Sequence, residues 1–328
     1  MNTEEESRLL DLRKKFASYI VAHQLFADAL NKVDQSLEAS STTDEPVSCL
    51  ITGIAGTGKS TICKNLLHKI AKSYPPGQVV AKDSVKRTIP VFLCAIGSGI
   101  TIKGLAKQML RELGASDVAG DQTDLTYRLH VLLKTCETKL ILMDEFQHLL
   151  QRGAEKSRDQ VCDWVKNLMN ATGIPVVILG TNDCEEIVSA HPQLSRRYTY
   201  RAKLRPFEYS LDPSSDYIRV LKSFQKAFSK IGGIGLSVEM SDERMALSIY
   251  VATGGLMDSM RKLFAQVLLG AHKKHQAKAD QEDFVVAYAT QYLEGNTVRN
   301  VNTNPFNLSL SELSLVLSKW NTSKRKGA

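Results

Sequence analysis

The chain has 328 residues, of which 43% are hydrophobic and 23% charged, the proportions of a globular protein rather than a disordered or fibrous one. No apolar run approaches the roughly 18 residues that would span a bilayer, so no membrane role is expected. A net charge of +7 and a pI near 9.0 are compatible with a polyanionic partner, because a basic surface concentrates phosphates, but charge alone does not name one.

The N-terminus mixes acids and bases and has no apolar stretch followed by a small-residue cleavage site. It therefore reads as neither secretory nor mitochondrial, which implies a cytoplasmic protein. Helical periodicity over residues 5–38 places Leu9, Leu10, Leu12, Phe16, Ile20, Val21, Leu25, Phe26, Leu30 and Val33 on one face, predicting one or two helices. The polar stretch Ala39 to Pro46 reads as a linker, so residues 1–46 form a helical preamble.

From residue 47 the pattern changes. VSCLIT (47–52), PVFLCAI (90–96), KLILMD (139–144) and PVVILG (175–180) are near-continuous apolar runs, as expected of strands covered on both faces of a parallel sheet. Helical patterns separate them at 60–72, 101–113, 124–135 and 159–172. This alternation predicts an α/β core over residues 47–207. Helices are expected near 214–230, 241–253, 255–272 and 281–293, giving a smaller all-helical domain over 208–295. The Asn- and Ser-rich tail, 296–328, carries one amphipathic stretch, LSELSLVLSKW, and is expected to be mobile until a partner orders it.

The motif Gly53-Ile54-Ala55-Gly56-Thr57-Gly58-Lys59-Ser60, with Thr61 next in line, fits GxxxxGK(S/T) between an apolar strand and a helix. Such a loop turns successive backbone N–H groups towards a phosphate, and the helix N-terminus adds its dipole. Lys59 is then the phosphate-binding cation and Ser60 a magnesium ligand, with ATP and Mg2+ as the implied ligands.

Asp144-Glu145 ends the strand KLILMD and so lies at the carboxyl edge of the sheet. Asp144 is expected to hold the metal and Glu145 to polarise the attacking water. After PVVILG, Asn182 and then Thr181 are candidates to sense the terminal phosphate, although both residues also suit a helix N-cap. Arg196 and Arg197 could stabilise developing phosphoryl charge in a neighbouring subunit, or form a solvated, salt-bridged edge. His148 reads as a packing or capping residue. The six cysteines show no CxxC pair and no matching histidine spacing, and read as reduced core residues.

Taken together, these motifs and the helical domain after them resemble the AAA+ ATPases. More narrowly, ASYIVAHQLFADAL, the phosphate-loop strand, LILMDEFQHLL, VVILGTND and Asn304-Pro305-Phe306 resemble the TniB/TnsC family of transposition regulators. The resemblance implies an ATP-dependent homo-oligomer, a ring or helical filament on double-stranded DNA, with a TnsB/TniA-type transposase and a TniQ-type target-selection protein as partners. It also implies DNA-backbone contacts from the segment after the second strand, here Thr101 and Lys103, although Lys103 also reads as an ordinary solvated lysine. Many AAA+ lids carry an arginine three residues after a glycine; after Gly255 that place holds Asp258, and Arg261 is the nearest arginine. A DNA motor or initiator loader is the alternative function. A small-molecule kinase is disfavoured, since it needs no second-subunit arginine.

Overall fold

The structure, a computed structural model, describes residues 3–81, 84–150, 155–291, 293 and 303–326. Two compact units are present. One is Leu25–Leu204; the other joins Met1–Gln24 to Arg205–Ala328. The preamble is therefore divided between them rather than forming a segment of its own.

Two helices open the chain, α1 (Thr3–Ser18) and α2 (Gln24–Thr42). The second runs past the predicted start of a linker at Ala39. Ser41 and Thr42 donate their hydroxyls back to the carbonyls of Glu38 and Ala39 (2.6 and 3.0 Å), so these turn-prone side chains are satisfied within the helix.

The chain then forms β1 (Cys49–Gly53), α3 (Lys59–Ser73), a hairpin of β2 (Gly77–Ala81) and β3 (Ser84–Thr88), β4 (Val91–Ala95), α4 (Ile102–Glu112) and α5 (Gln122–Thr135). There follow β5 (Leu140–Asp144), α6 (Gln147–Leu150), α7 (Glu155–Thr172), β6 (Val176–Gly180), α8 (Asp183–Ala190), α9 (Pro192–Ser195) and β7 (Tyr200–Leu204). Five strands pair in parallel in the order β4-β5-β6-β1-β7.

Because strand side chains alternate, the apolar runs feed two cores. Cys49, Ile51, Leu142 and Leu179 pack with Phe26, Val33, Ile62 and Leu66 of α2 and α3. Leu50, Met143 and Ile178 pack on the other face with residues of α4, α5, α7 and α8. The path from β1 leaves over the first face and the path from β6 over the second. Adjacent strands with diverging connections open a crevice at their carboxyl ends, the place where parallel sheets hold ligands.

In the other unit, α10 (Asp216–Lys230), α11 (Glu243–Thr253), α12 (Met257–Lys273) and α13 (Gln281–Ala289) surround a core that α1 completes. Phe16 of α1 packs against Phe224 and Phe228, with ring centroids 6.0 and 5.8 Å away. The expected all-helical domain also contains a short parallel pair, β8 (Gly235–Leu236) with β9 (Lys278–Ala279).

The predicted domain boundary at 295/296 and the Asn-rich run through 302 lie outside the described residues. Residues 303–326 of the tail are folded onto this unit rather than free. Phe306 is fully buried, Asn304 accepts from the Phe306 N–H, and Arg244 donates to the carbonyls of Phe306 and Leu308 (3.3 and 3.2 Å). Helix α14 (Leu310–Lys326) buries Leu313 against Leu247 and Val251, and sets Trp320 edge-on to Tyr250.

Candidate nucleotide site

Residues 54–58 join the end of β1 to the start of α3. Gly58, the N-cap of α3, has φ 104°, a backbone that L side chains rarely adopt. Gly53 is required for space instead: a Cβ there would lie 2.5 Å from the Leu204 carbonyl and 2.8 Å from Thr57 Oγ1. Thr57 braces the loop by donating to the Ile54 carbonyl at 2.8 Å.

Lys59 is 6% exposed, and its Nζ donates to the carbonyls of Gly53 (2.8 Å) and Ile54 (3.2 Å). An ammonium has three N–H donors, so these carbonyls leave one uncommitted. Next along the helix, Ser60 Oγ donates to Asp144 Oδ2 at 2.9 Å. A hydroxyl and a carboxylate on separate elements thus converge, and both are oxygen ligands of the kind that suits a hard cation such as magnesium. The donor set therefore fits a phosphate and a magnesium ion.

Asp144 is buried, and its Oδ1 accepts from the Glu145 N–H at 2.9 Å. Glu145 has φ 58°, the left-handed region that is costly for a residue with a Cβ. Gln147 Nε2 donates to the Glu145 carboxylate, and Gln147 Oε1 accepts from the Thr181 N–H at 3.2 Å. Gln147 was not singled out from the sequence. Its signal was an amide side chain two residues after the acidic pair of LILMDEFQHLL. His148 is half-buried on α6, and its N–H donates to the Glu145 carbonyl at 3.0 Å.

Asn182 occupies the N-cap position of α8, but its side chain makes no capping bond. Its Oδ1 is buried without a hydrogen-bond partner, which is costly unless a ligand supplies a donor. Thr181 Oγ1 makes a 3.4 Å contact with Asp183 Oδ2. Beneath these residues, burial pushes the Cys184 thiol up to about 12; burial, helped by Asp144, also raises that of Cys63. All six cysteines are buried and free of disulfides.

Ser48, just before β1, donates its N–H to the Arg197 carbonyl, so the arginine pair lies beside the amino ends of the strands. The two arginines differ. The Arg196 side chain is 63% exposed and only 3.6 Å from Glu45. Arg197 is 2% exposed, bonds Asn170 at 2.7 Å and pairs with Glu45 at 2.8 Å. A guanidinium so enclosed cannot reach a neighbouring molecule, which corrects its candidacy for that role.

Thr101 is the N-cap of α4, accepting from the Gly104 N–H at 3.1 Å, and Lys103 is exposed in the helix's first turn. In the helical unit, Arg261 donates to the Ala17 carbonyl at 2.7 Å, and burial lowers its pKa.

The profile of the family described as Bacterial TniB protein matches residues 13–209. No curated protein matches the chain. Among solved structures, the chain is similar to the Aeropyrum pernix ORC2 protein in ADPNP-ADP complexes, with a TM-score of 0.59 and 12% identity over 80% of this chain and 67% of that one. It is also similar to the Aeropyrum pernix ORC1 protein in complex with DNA, with a TM-score of 0.55 and 14% identity over 93% of this chain and 85% of that one. A third likeness is to CDC6P from Pyrobaculum aerophilum, at 0.56 and 14% over 95% and 89%. At these identities the likeness is one of fold, and the fold is AAA+: a P-loop parallel sheet flanked by helices, with a smaller helical lid. Among the described residues no helix is long and apolar enough to cross a membrane.

Proposed function

Because the chain belongs to the TniB family, we propose that it is an ATP-dependent, oligomerising regulator of DNA transposition. It binds double-stranded DNA without regard to sequence, links target selection to the transposase, and uses ATP hydrolysis to control disassembly. The observation that carries the nucleotide part is the 2.9 Å bond from Ser60 to Asp144, beside a buried Lys59 that keeps one donor free.

In this reading the backbone of residues 53–58 and Lys59 hold the phosphates, with Thr61 on the first turn of α3 beside them. Ser60 and Asp144 would hold a magnesium ion, whose charge offsets that of the phosphoryl oxygens. Glu145 takes the proton of the attacking water. Asn182, whose buried Oδ1 lacks a partner, orients that water, and Thr181 lies in the same turn. Arg196 is the arginine exposed enough to serve a neighbouring subunit's site. Arg261 is the candidate by which the lid responds to nucleotide.

Thr101 and Lys103 would contact DNA phosphates, giving sequence-independent, salt-sensitive binding. The DNA complex of the similar ORC1 protein supports a DNA partner. The family match supports a TnsB/TniA-type transposase and a TniQ-type selector as further partners. The likeness to ORC and CDC6P favours one second reading, an initiator-type loader on DNA.

Electron microscopy of the protein with duplex DNA separates these readings. Rings or filaments that form with ATP or a non-hydrolysable analogue, and disperse on hydrolysis, support the regulator. Rapid DNA-stimulated turnover with strand displacement, read in ATPase and unwinding assays, would replace it with the alternative of a DNA motor or initiator loader.

A further inference from the structure

Gln147 opens α6, two residues beyond Glu145, and is 5% exposed. Its amide bonds in two directions, giving a hydrogen to the Glu145 carboxylate and taking one from the Thr181 N–H at 3.2 Å. Room for this link depends on Gly180, where a Cβ would sit 2.9 Å from Gln147 Oε1 and 2.4 Å from Cys184 Sγ. One buried amide therefore ties the end of β5 to the end of β6. Thr181, on the far side of the link, is followed by Asn182, whose buried Oδ1 has no partner.

We infer that Gln147 is a positioning residue that holds the Glu145 carboxylate in its working orientation and couples it to the Thr181–Asn182 turn. The inference rests on the reading of Glu145 as the residue that activates water. Gln147 touches no reacting atom and acts only through Glu145. A glutamate side chain otherwise samples several rotamers, and a buried donor removes that freedom before the chemical step. Because the same amide accepts from Thr181, a shift of that turn when Asn182 gains a ligand is passed to Glu145 along two hydrogen bonds. Deleting a buried side-chain link of this kind separates turnover from binding.

The test is steady-state ATP hydrolysis and nucleotide titration on the full chain carrying Gln147→Ala, Gln147→Glu, Asn182→Ala, the Gln147→Ala/Asn182→Ala pair and Glu145→Gln. Gln147→Ala should lower kcat about tenfold or more, with KM and nucleotide affinity within about twofold. Gln147→Glu, which keeps the shape and loses the donor, should fall as far. The double variant should be less than multiplicative relative to its parents, since both residues act through one link. If Gln147→Ala does not fold, Gln147→Met, which keeps the volume without either bond, carries the same expectation. Unchanged or raised kcat in these variants, alongside an inactive Glu145→Gln, overturns the coupling. Normal turnover by Glu145→Gln instead removes the reading of Glu145 beneath it.

Discussion

Ser60 Oγ donates to Asp144 Oδ2 at 2.9 Å, so the first turn of α3 and the carboxyl end of β5 are joined by one hydrogen bond. Two substitutions divide its consequences. Lys59→Ala should weaken ATP binding about 100-fold or more with or without metal, because a charge-assisted phosphate contact is lost. Ser60→Ala should weaken it in magnesium buffer but have little effect in EDTA. Titration with a fluorescent ATP analogue in both buffers reads the difference. Equal losses for Ser60→Ala in the two buffers would remove the hydroxyl from the metal site.

The exposed Glu137 adopts φ 54° just past the end of α5, where the Thr138 N–H returns to the Leu133 carbonyl at 3.1 Å. That is a helix ending in which glycine is the favoured residue. Glu137→Gly should stabilise the Leu25–Leu204 unit by about 0.5–1 kcal/mol, a rise of a few degrees in Tm by calorimetry. The same change at Glu145, which shares the left-handed backbone, should instead abolish hydrolysis.

Arg196 and Arg197 should behave oppositely. Arg197→Ala removes a buried side chain whose partners, Asn170 and Glu45, are exposed and can turn to water, so it should cost about 1–3 kcal/mol of stability through lost packing. Arg196→Ala should leave Tm within about a degree, its pairing being solvated. It should lower ATP turnover only in the assembled protein. Mixing it with active-site-dead Glu145→Gln subunits checks whether it acts between subunits: activity should be partly restored if Arg196 serves a neighbour, because an Arg196→Ala site then has its own Glu145 and its neighbour's arginine, and should stay low if it does not.

Burial pushes the thiols of Cys49, Cys94, Cys162 and Cys184 up to about 12 from an ordinary 9.0. A raised pKa means that the folded state favours the neutral thiol. The stability it contributes is complete below pH 9 and is lost as pH climbs towards about 12. Thermal melting should therefore fall over that interval, and fall less in Cys162→Ala. At pH 8 a maleimide should label native protein far more slowly than unfolded protein.

The sheet was legible because strands covered on both faces must be apolar throughout: Leu140–Asp144 and Val176–Gly180 lie within one residue of the runs that announced them. The phosphate loop was legible for a related reason, since its glycines and lysine have few other uses between a strand and a helix. The hairpin Gly77–Thr88 was not, as its lysines, arginine and serine mask the alternation. Nor did the sequence separate Arg196 from Arg197: their difference is burial against Asn170 and Glu45, which only tertiary packing creates. Gln147 escaped notice because its partners, Glu145 and the Thr181 N–H, come from two different strand ends.

The attachment of α1 to helices that begin beyond residue 205 makes one unit discontinuous and leaves the other as an uninterrupted stretch. On the ribosome, Leu25–Leu204 is complete while Phe16 still awaits Phe224 and Phe228. Helix α1 is thus made before the Leu25–Leu204 unit but finds its place after it, and until then its apolar side stays open to chaperones and to other nascent chains.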